Sequence, residues 1–228
     1  MTNKEALLYC KISHVAYGQG YDLGDFKLTG RFSNAATDTQ GIIGTAYGNT
    51  LVLAFRGSET TGPTDWITDI KFMPATFHYI KTPSLSVHSG FLEAYQSVRE
   101  AMFQAAKDSP HKLVVCTGHS LGASLATLCA LDIRCNLNKT VCCYTYGSPK
   151  VGNPEFVKFY NQQIPETHRY VNGADLVPTI PPDVPFLMDY EHVGQLHHVG
   201  NTKASSLSSD AVQAHLPANY TKVLEALA

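Results

Sequence analysis

Lys112-Leu113-Val114-Val115-Cys116-Thr117-Gly118-His119-Ser120-Leu121-Gly122-Ala123, continuing through Ser124 to Arg134, is the stretch from which the fold is read. The apolar, β-branched run before Gly118 predicts a buried strand. From Leu121 onward, Leu125, Leu128, Leu131 and Ile133 with Ala123, Ala126, Cys129 and Ala130 between them leave almost no polar stripe, so residues 121–134 predict a buried helix. A serine at the turn between them stands in the G-x-S-x-G pattern of a nucleophile elbow, a sharp strand-to-helix turn that lifts the hydroxyl above the sheet. Glycines two positions to either side let strand and helix approach each other beneath it. The helix also directs its N-terminal N–H groups and dipole at that point, where a developing negative charge is favoured, and the N–H of Leu121 is a natural oxyanion donor. A chance Gly-Ser-Gly turn is the bland alternative, and the flanking strand and helix argue against it.

The rest of the chain fits one such core. With 228 residues, 44% of them hydrophobic, it is sized for one domain over residues 1–228. The formal net charge is −2 and the charges are scattered, so no basic face offers itself to nucleic acid or an anionic surface. The N-terminal residues lack a signal-peptide apolar core and no run reaches the length of a membrane span. Of the six cysteines, Cys116 and Cys129 fall in the buried strand and helix, while Cys142 and Cys143 are adjacent in another apolar run and point to opposite faces. Reduced thiols in a cytoplasmic or leaderless secreted protein are the expectation. No H-E-x-x-H or cysteine-rich ligand pattern is present, and Gly18-Gln19-Gly20 follows a helix and lacks the third glycine of a dinucleotide loop, so neither metal nor cofactor is expected.

Residues 3–17 predict a first helix, opened by Thr2 and Glu5 at capping-box spacing. Residues 42–47 and 51–55 predict a hairpin about Gly48-Asn49-Thr50, and residues 90–107 a helix with Phe91, Ala94, Tyr95, Val98 and Met102 on one face. Residues 141–146 predict a further core strand. Repeated strand-helix-strand units predict an α/β fold of the α/β-hydrolase kind, a mainly parallel sheet with helices on both faces. Residues 59–80 are different: Trp66, Phe72, Met73, Phe77 and Tyr79 lie among turn breakers without a long periodic face. They are either a satellite core under a loop or an amphipathic lid over the serine that opens at a lipid surface.

A serine hydroxyl is a weak nucleophile, so it needs an imidazole to take its proton and a carboxylate to orient the imidazole, in the chain order Ser, Asp/Glu, His on this fold. Asp175, in Gly173-Ala174-Asp175-Leu176-Val177-Pro178 after the strand predicted at residues 168–171, is the leading acid. Asp183, among prolines, and Asp210, at a helix start, have turn and capping explanations. Of the ten histidines, chain order leaves His192, His197, His198 and His215. The first three read as surface or packing residues of two edge strands.

The blocks Phe55-Arg56-Gly57-Ser58, Val87-His88-Ser89-Gly90-Phe91, Gly118 to Ala123, Tyr146 to Asn153 and Asn172 to Pro178 together resemble the class 3 lipases, the fungal-type triacylglycerol lipases and their relatives. The resemblance implies a Ser-His-Asp serine hydrolase acting on acyl esters, with an ester or lipid substrate and transient contact with a lipid interface through the lid. It implies His215, which has Tyr220 soon after it, as the base and His119 as a structural residue. It implies that Ser58 supplies the second oxyanion donor beside Leu121, and that Asp65-Trp66 lies in the lid. Triacylglycerol, monoacylglycerol, phospholipid and feruloyl esters share this machinery; the lipase reading rests on the apolar lid and the absence of basic surface. The rival from another class is a non-catalytic, lipase-like binding module, and the presence of all three triad residue types argues against it.

Overall fold

The computed structural model describes residues 2–20, 23–58, 73–82, 84–182, 189–200 and 209–228. Its centre is a sheet of seven strands in the order β1-β2-β3-β6-β7-β8-β9. β1 (Phe26–Asn34), β2 (Thr39–Ala46) and β3 (Thr50–Phe55) form an antiparallel meander. β6 (Leu113–His119), β7 (Thr140–Tyr146), β8 (Thr167–Asn172) and β9 (Gln195–Val199) continue from β3 in parallel. The mainly parallel α/β-hydrolase sheet expected from the sequence is therefore present.

Side-chain alternation explains the two apolar layers. On β6, Val114 and Cys116 face one side and Val115 the other. The first side, with Leu53, Phe55, Val141 and Cys143, is covered by α2 (Ser89–Asp108), α3 (Leu121–Asn136) and α4 (Pro154–Gln163). The second, with Val52, Ala54, Tyr144, Tyr146 and Tyr170, is covered by α1 (Asn3–Val15) and α6 (Pro217–Glu225). Strands buried on both faces explain why β3 and β6 read as continuous apolar runs. Residues 122–133 of α3 are all buried, as their composition predicts. The Thr2–Glu5 capping box opens α1.

α2 opens differently. The buried His88 imidazole at its N-cap accepts from the N–H groups of Gly90 and Phe91 (3.1 and 3.4 Å). Burial pushes this imidazole down to about 4, so it caps in its neutral form. Within the 59–80 segment, residues 59–72, including Asp65 and Trp66, lie outside the described residues. From Pro74 onward the chain forms β4 (Pro74–Thr76), paired antiparallel with β5 (Ser86–His88). Phe77 is buried edge-on against Phe156, so this end of the segment is the satellite core weighed above. The predicted pair of edge strands near the histidines is a single strand, β9, because Glu191 makes only an isolated bridge to Gly152. Asp183 lies outside the described residues, and Asp210 falls in the first turn of α5 (Ser209–His215).

Candidate active site

Parallel strands end together, and the ends of β6, β7 and β8 gather the candidate residues at one edge of the sheet. Ser120 follows β6 directly with φ 58° and ψ −129°, backbone that non-glycine residues avoid and that carries a cost of order 1–3 kcal/mol. The surrounding fold imposes it. A Cβ on Gly118 would fall on the carbonyl of Gly122, and one on Gly122 would fall on the carbonyl of Phe55 in β3. Both glycines of the pattern are therefore required by backbone-to-backbone contact. Ser120 occupies the N-cap position of α3, yet its side chain makes no capping bond, which leaves the hydroxyl for other use.

The segment Arg56-Gly57-Ser58 runs alongside. A Cβ on Gly57 would lie 2.8 Å from the carbonyl oxygen of His119 and 3.1 Å from Cβ of Ser120, so the chain entering Ser58 packs directly against the serine. Arg56 holds this approach through its backbone N–H to the Gln40 carbonyl (2.9 Å) and its guanidinium to Gln40 Oε1 (2.7 Å). Leu121 is the first residue of α3, where N–H groups have no intrahelical partner. The two expected oxyanion donors thus come from the segments that border the hydroxyl.

Asp175 sits three residues beyond β8 and is buried. Its carboxylate accepts from Nδ1 of His215 (3.0 and 2.9 Å to its two oxygens), from the N–H of Val177 (2.9 Å) and from the Tyr220 hydroxyl (2.6 Å). Because a carboxylate accepts here, His215 carries its proton on Nδ1, and Nε2 is left as the basic nitrogen. His192, His197 and His198 are not part of this arrangement. His192 Nε2 lies 2.7 Å from the Pro178 carbonyl, and His197 pairs with His168.

Residues to which the sequence assigned no part in the catalytic chemistry complete the setting. Gly147, just past β7 at φ +59°, leaves room for the pair: a Cβ there would come within 2.8 Å of Asp175 Oδ2 and 3.0 Å of His215 Nδ1. Tyr220 donates to Asp175 and accepts the N–H of Asn172 (3.0 Å), and burial pushes its phenol far up, so it stays a donor. His119, expected to be a structural residue, reaches the backbone of His215 with its ring. Its Nε2 donates to the His215 carbonyl (2.7 Å), so Nδ1 accepts from the Tyr17 hydroxyl (3.0 Å). Burial, then His215, holds the His119 imidazole well below its ordinary value, so it is neutral. The two rings lie 4.6 Å apart between centroids. The strand-end Tyr146-Gly147 and the Tyr after His215 were the available sequence signals.

A buried hydroxyl on a strained turn, bordered by backbone donors, with a carboxylate-oriented imidazole packed on the neighbouring residue, offers the groups that nucleophilic acyl transfer requires. The family model described as lipase (class 3) matches residues 52–184. The chain belongs to the class 3 lipase family. It is 29% identical over 220 residues to a lipase from Rhizomucor miehei, covering 89% of this chain and 58% of that protein. It is 39% identical over 138 residues to a secreted mono- and diacylglycerol lipase from Fusarium solani, covering 59% of this chain and 40% of that protein. The chain thus spans about half the length of the curated class 3 relatives it matches. Among solved structures, lipase II from Rhizopus niveus superposes with a TM-score of 0.77 at 25% identity, covering 94% of this chain and 92% of that one. A triacylglycerol lipase described as having a serine-protease triad as its catalytic centre superposes at 0.75 with 27% identity, covering 95% and 92%.

The cytoplasmic or leaderless expectation fails against these relatives. Those from Fusarium solani and Malassezia globosa are secreted proteins by name. The cysteine argument behind that expectation is weak for a physical reason. All six thiols are free, and Cys10, Cys116, Cys129 and Cys143 are buried, where they pack as small apolar side chains shielded from oxidant in any compartment. Among the described residues, no helix is long and apolar enough to cross a membrane and no group of three His, Cys, Asp or Glu side chains is placed to hold a metal.

Proposed function

We propose that this chain is a serine carboxylic-ester hydrolase whose substrates are neutral acylglycerols, and that residues 1–228 work as one domain. Ser120 attacks the ester carbonyl while Nε2 of His215 takes its proton. Asp175 orients the imidazole and stabilises the imidazolium that forms. The N–H groups of Leu121 and Ser58 receive the oxyanion, each such donor contributing about 3 kcal/mol to the barrier reduction. His215 returns the proton to the leaving alcohol, and water, activated by the same imidazole, hydrolyses the acyl-enzyme. The observation that carries this reading is the hydrogen bond of His215 Nδ1 to the two oxygens of the buried Asp175 carboxylate, with the His215 ring packed on His119, the neighbour of a serine held on a strained elbow. Acylglycerols are favoured by the names of the relatives, which include lipases and mono- and diacylglycerol lipases, and by a chain without a basic face.

Contact with a lipid surface through residues 59–80 belongs to the same proposal; it is supported by the apolar composition of that segment and by Met73, which is 64% exposed. Hydrolysis of p-nitrophenyl esters, mono- and triacylglycerol emulsions, a phospholipid and a feruloyl ester tests substrate class. Highest turnover on the acylglycerols, rising when the emulsion interface forms, is expected. Preference for the phospholipid or the feruloyl ester contradicts the substrate assignment, and a rate blind to the interface contradicts the surface contact.

A further inference from the structure

Arg169 is a buried cation in need of an anion. It lies on β8, on the face opposite Tyr170, is 9% exposed, and among the described residues its Nε has no hydrogen-bond partner. Among the described residues no carboxylate pairs with it, and burial pushes its guanidinium below the ordinary value. Its register partner on β7, Thr145, also has a buried hydroxyl without a partner among the described residues. Two such groups side by side on one face of a sheet are unusual, since buried polar atoms are nearly always paired.

Arg169 borders a cavity of about 460 Å³ between the edge strand β9 and the 3₁₀ turn Val177–Thr179. Its other walls include Val171, Leu176, Pro178, Leu196 and His198. Leu196, the register partner of Arg169 on β9, is 48% exposed, so the apolar wall runs out to solvent. Asp175 also borders the cavity, but its carboxylate is taken by His215, Tyr220 and Val177.

We infer that this cavity is a binding site for an aliphatic monocarboxylate, whose head pairs with the Arg169 guanidinium and whose chain lies along Val171, Leu176 and Leu196. A guanidinium matches a carboxylate with two parallel N–H donors. A single buried cation within apolar walls suits a monoanion with a tail better than a small dianion such as phosphate. The inference rests on the proposed function in one respect: acylglycerol hydrolysis releases a ligand of this class beside the loop that carries the acid.

Calorimetric titration of the Ser120→Ala protein with sodium octanoate, octanol and inorganic phosphate tests it without turnover. Octanoate is expected to bind, with Arg169→Gln weakening it about tenfold to a hundredfold, the range for a charge-assisted contact. Octanol and phosphate are expected to bind at least about tenfold more weakly than octanoate, each lacking one half of the match. Leu196→Asp, an exposed change, is expected to weaken octanoate by repulsion and carries the test if Arg169→Gln does not fold. Octanoate affinity unchanged by either variant, phosphate binding as tight as octanoate, or no octanoate binding to the parent protein overturns the inference. None of these outcomes bears on ester hydrolysis by the unaltered protein, which is assayed separately.

Discussion

The elbow around Ser120 is held by close backbone contacts within the turn and against β3, whereas the residue His215 is placed by hydrogen bonds from side chains scattered along the sequence. At the elbow, Gly118 and Gly122 meet backbone directly, and the positive φ of Ser120 follows from a strand and a helix that leave no other path. At the other side, α6 packs Tyr220 and Leu224 into the second apolar layer, while the position of His215 depends on individual hydrogen bonds: Asn172 Nδ2 to the Ala214 carbonyl (2.9 Å), His119 to the His215 carbonyl, and Tyr220 to Asp175. Damage to the first region should therefore break the scaffold, and damage to the second should misplace one imidazole within an intact scaffold.

The largest expected effect is on turnover. Asp175→Asn should lower kcat for a soluble ester by about 10⁴-fold, the loss seen when the orienting carboxylate becomes an amide, while the melting temperature changes little. A loss below about tenfold would mean that His215 is not held by this residue. Gly147→Ala comes next: its Cβ crowds Asp175 and His215 at a positive φ, so kcat should fall by about a hundredfold or more for a misplaced imidazole. Gly118→Ala sharpens the contrast, because its Cβ meets Gly122 backbone. It should cost about 3 kcal/mol or more, at or beyond the usual overpacking range, and reduce folded yield before any kinetic reading is possible. Tyr220→Phe should leave an Asp175 oxygen short of a donor and the Asn172 N–H short of an acceptor. A loss of about 1–3 kcal/mol in stability, read by urea unfolding, is expected together with a moderate fall in kcat.

These contrasts also explain what the sequence made legible. Ser120 and its glycines are adjacent in the chain, and steric need ties their identities to one turn, so a short pattern sufficed. Asp175 was proposed from its place after a strand, since the ends of parallel strands are where such sheets present functional groups. The choice of His215 among the histidines needed the family resemblance, because only the tertiary fold brings α5 to β8. Tyr17 was missed as a support, and the contact of His119 with His215 was not foreseen, for the same reason: a Tyr17–His119–His215 chain links residues from three distant parts of the sequence. The strand β1 also went unread, with its outward side chains exposed and a bulge between Leu28 and Gly30 breaking its alternation.

Acid stability gives a smaller and slower test, away from both regions. His88 is neutral in the fold with its value pushed down to about 4, while the unfolded chain takes up a proton near 6.5. The unfolded state therefore binds more protons between these values, so stability is full above about 6.5 and is lost as pH falls toward 4, by up to about 3 kcal/mol from this group. His14, His119, His168 and His197 are shifted the same way, chiefly by burial, and add to the slope. His88→Asn, which keeps a capping acceptor for α2, should flatten the pH dependence of the urea midpoint across that window. A slope unchanged by the substitution would remove His88 from the account.

The most direct measurement is the rate at which a fluorophosphonate probe phosphonylates the intact protein, with the modified residue identified by peptide mass mapping. The account predicts rapid, stoichiometric modification at Ser120 alone and a rate lower by about 10³-fold or more in a folded His215→Ala protein, because the hydroxyl depends on that imidazole for its reactivity. Modification at another residue, or an equal rate at Ser120 without His215, would contradict it.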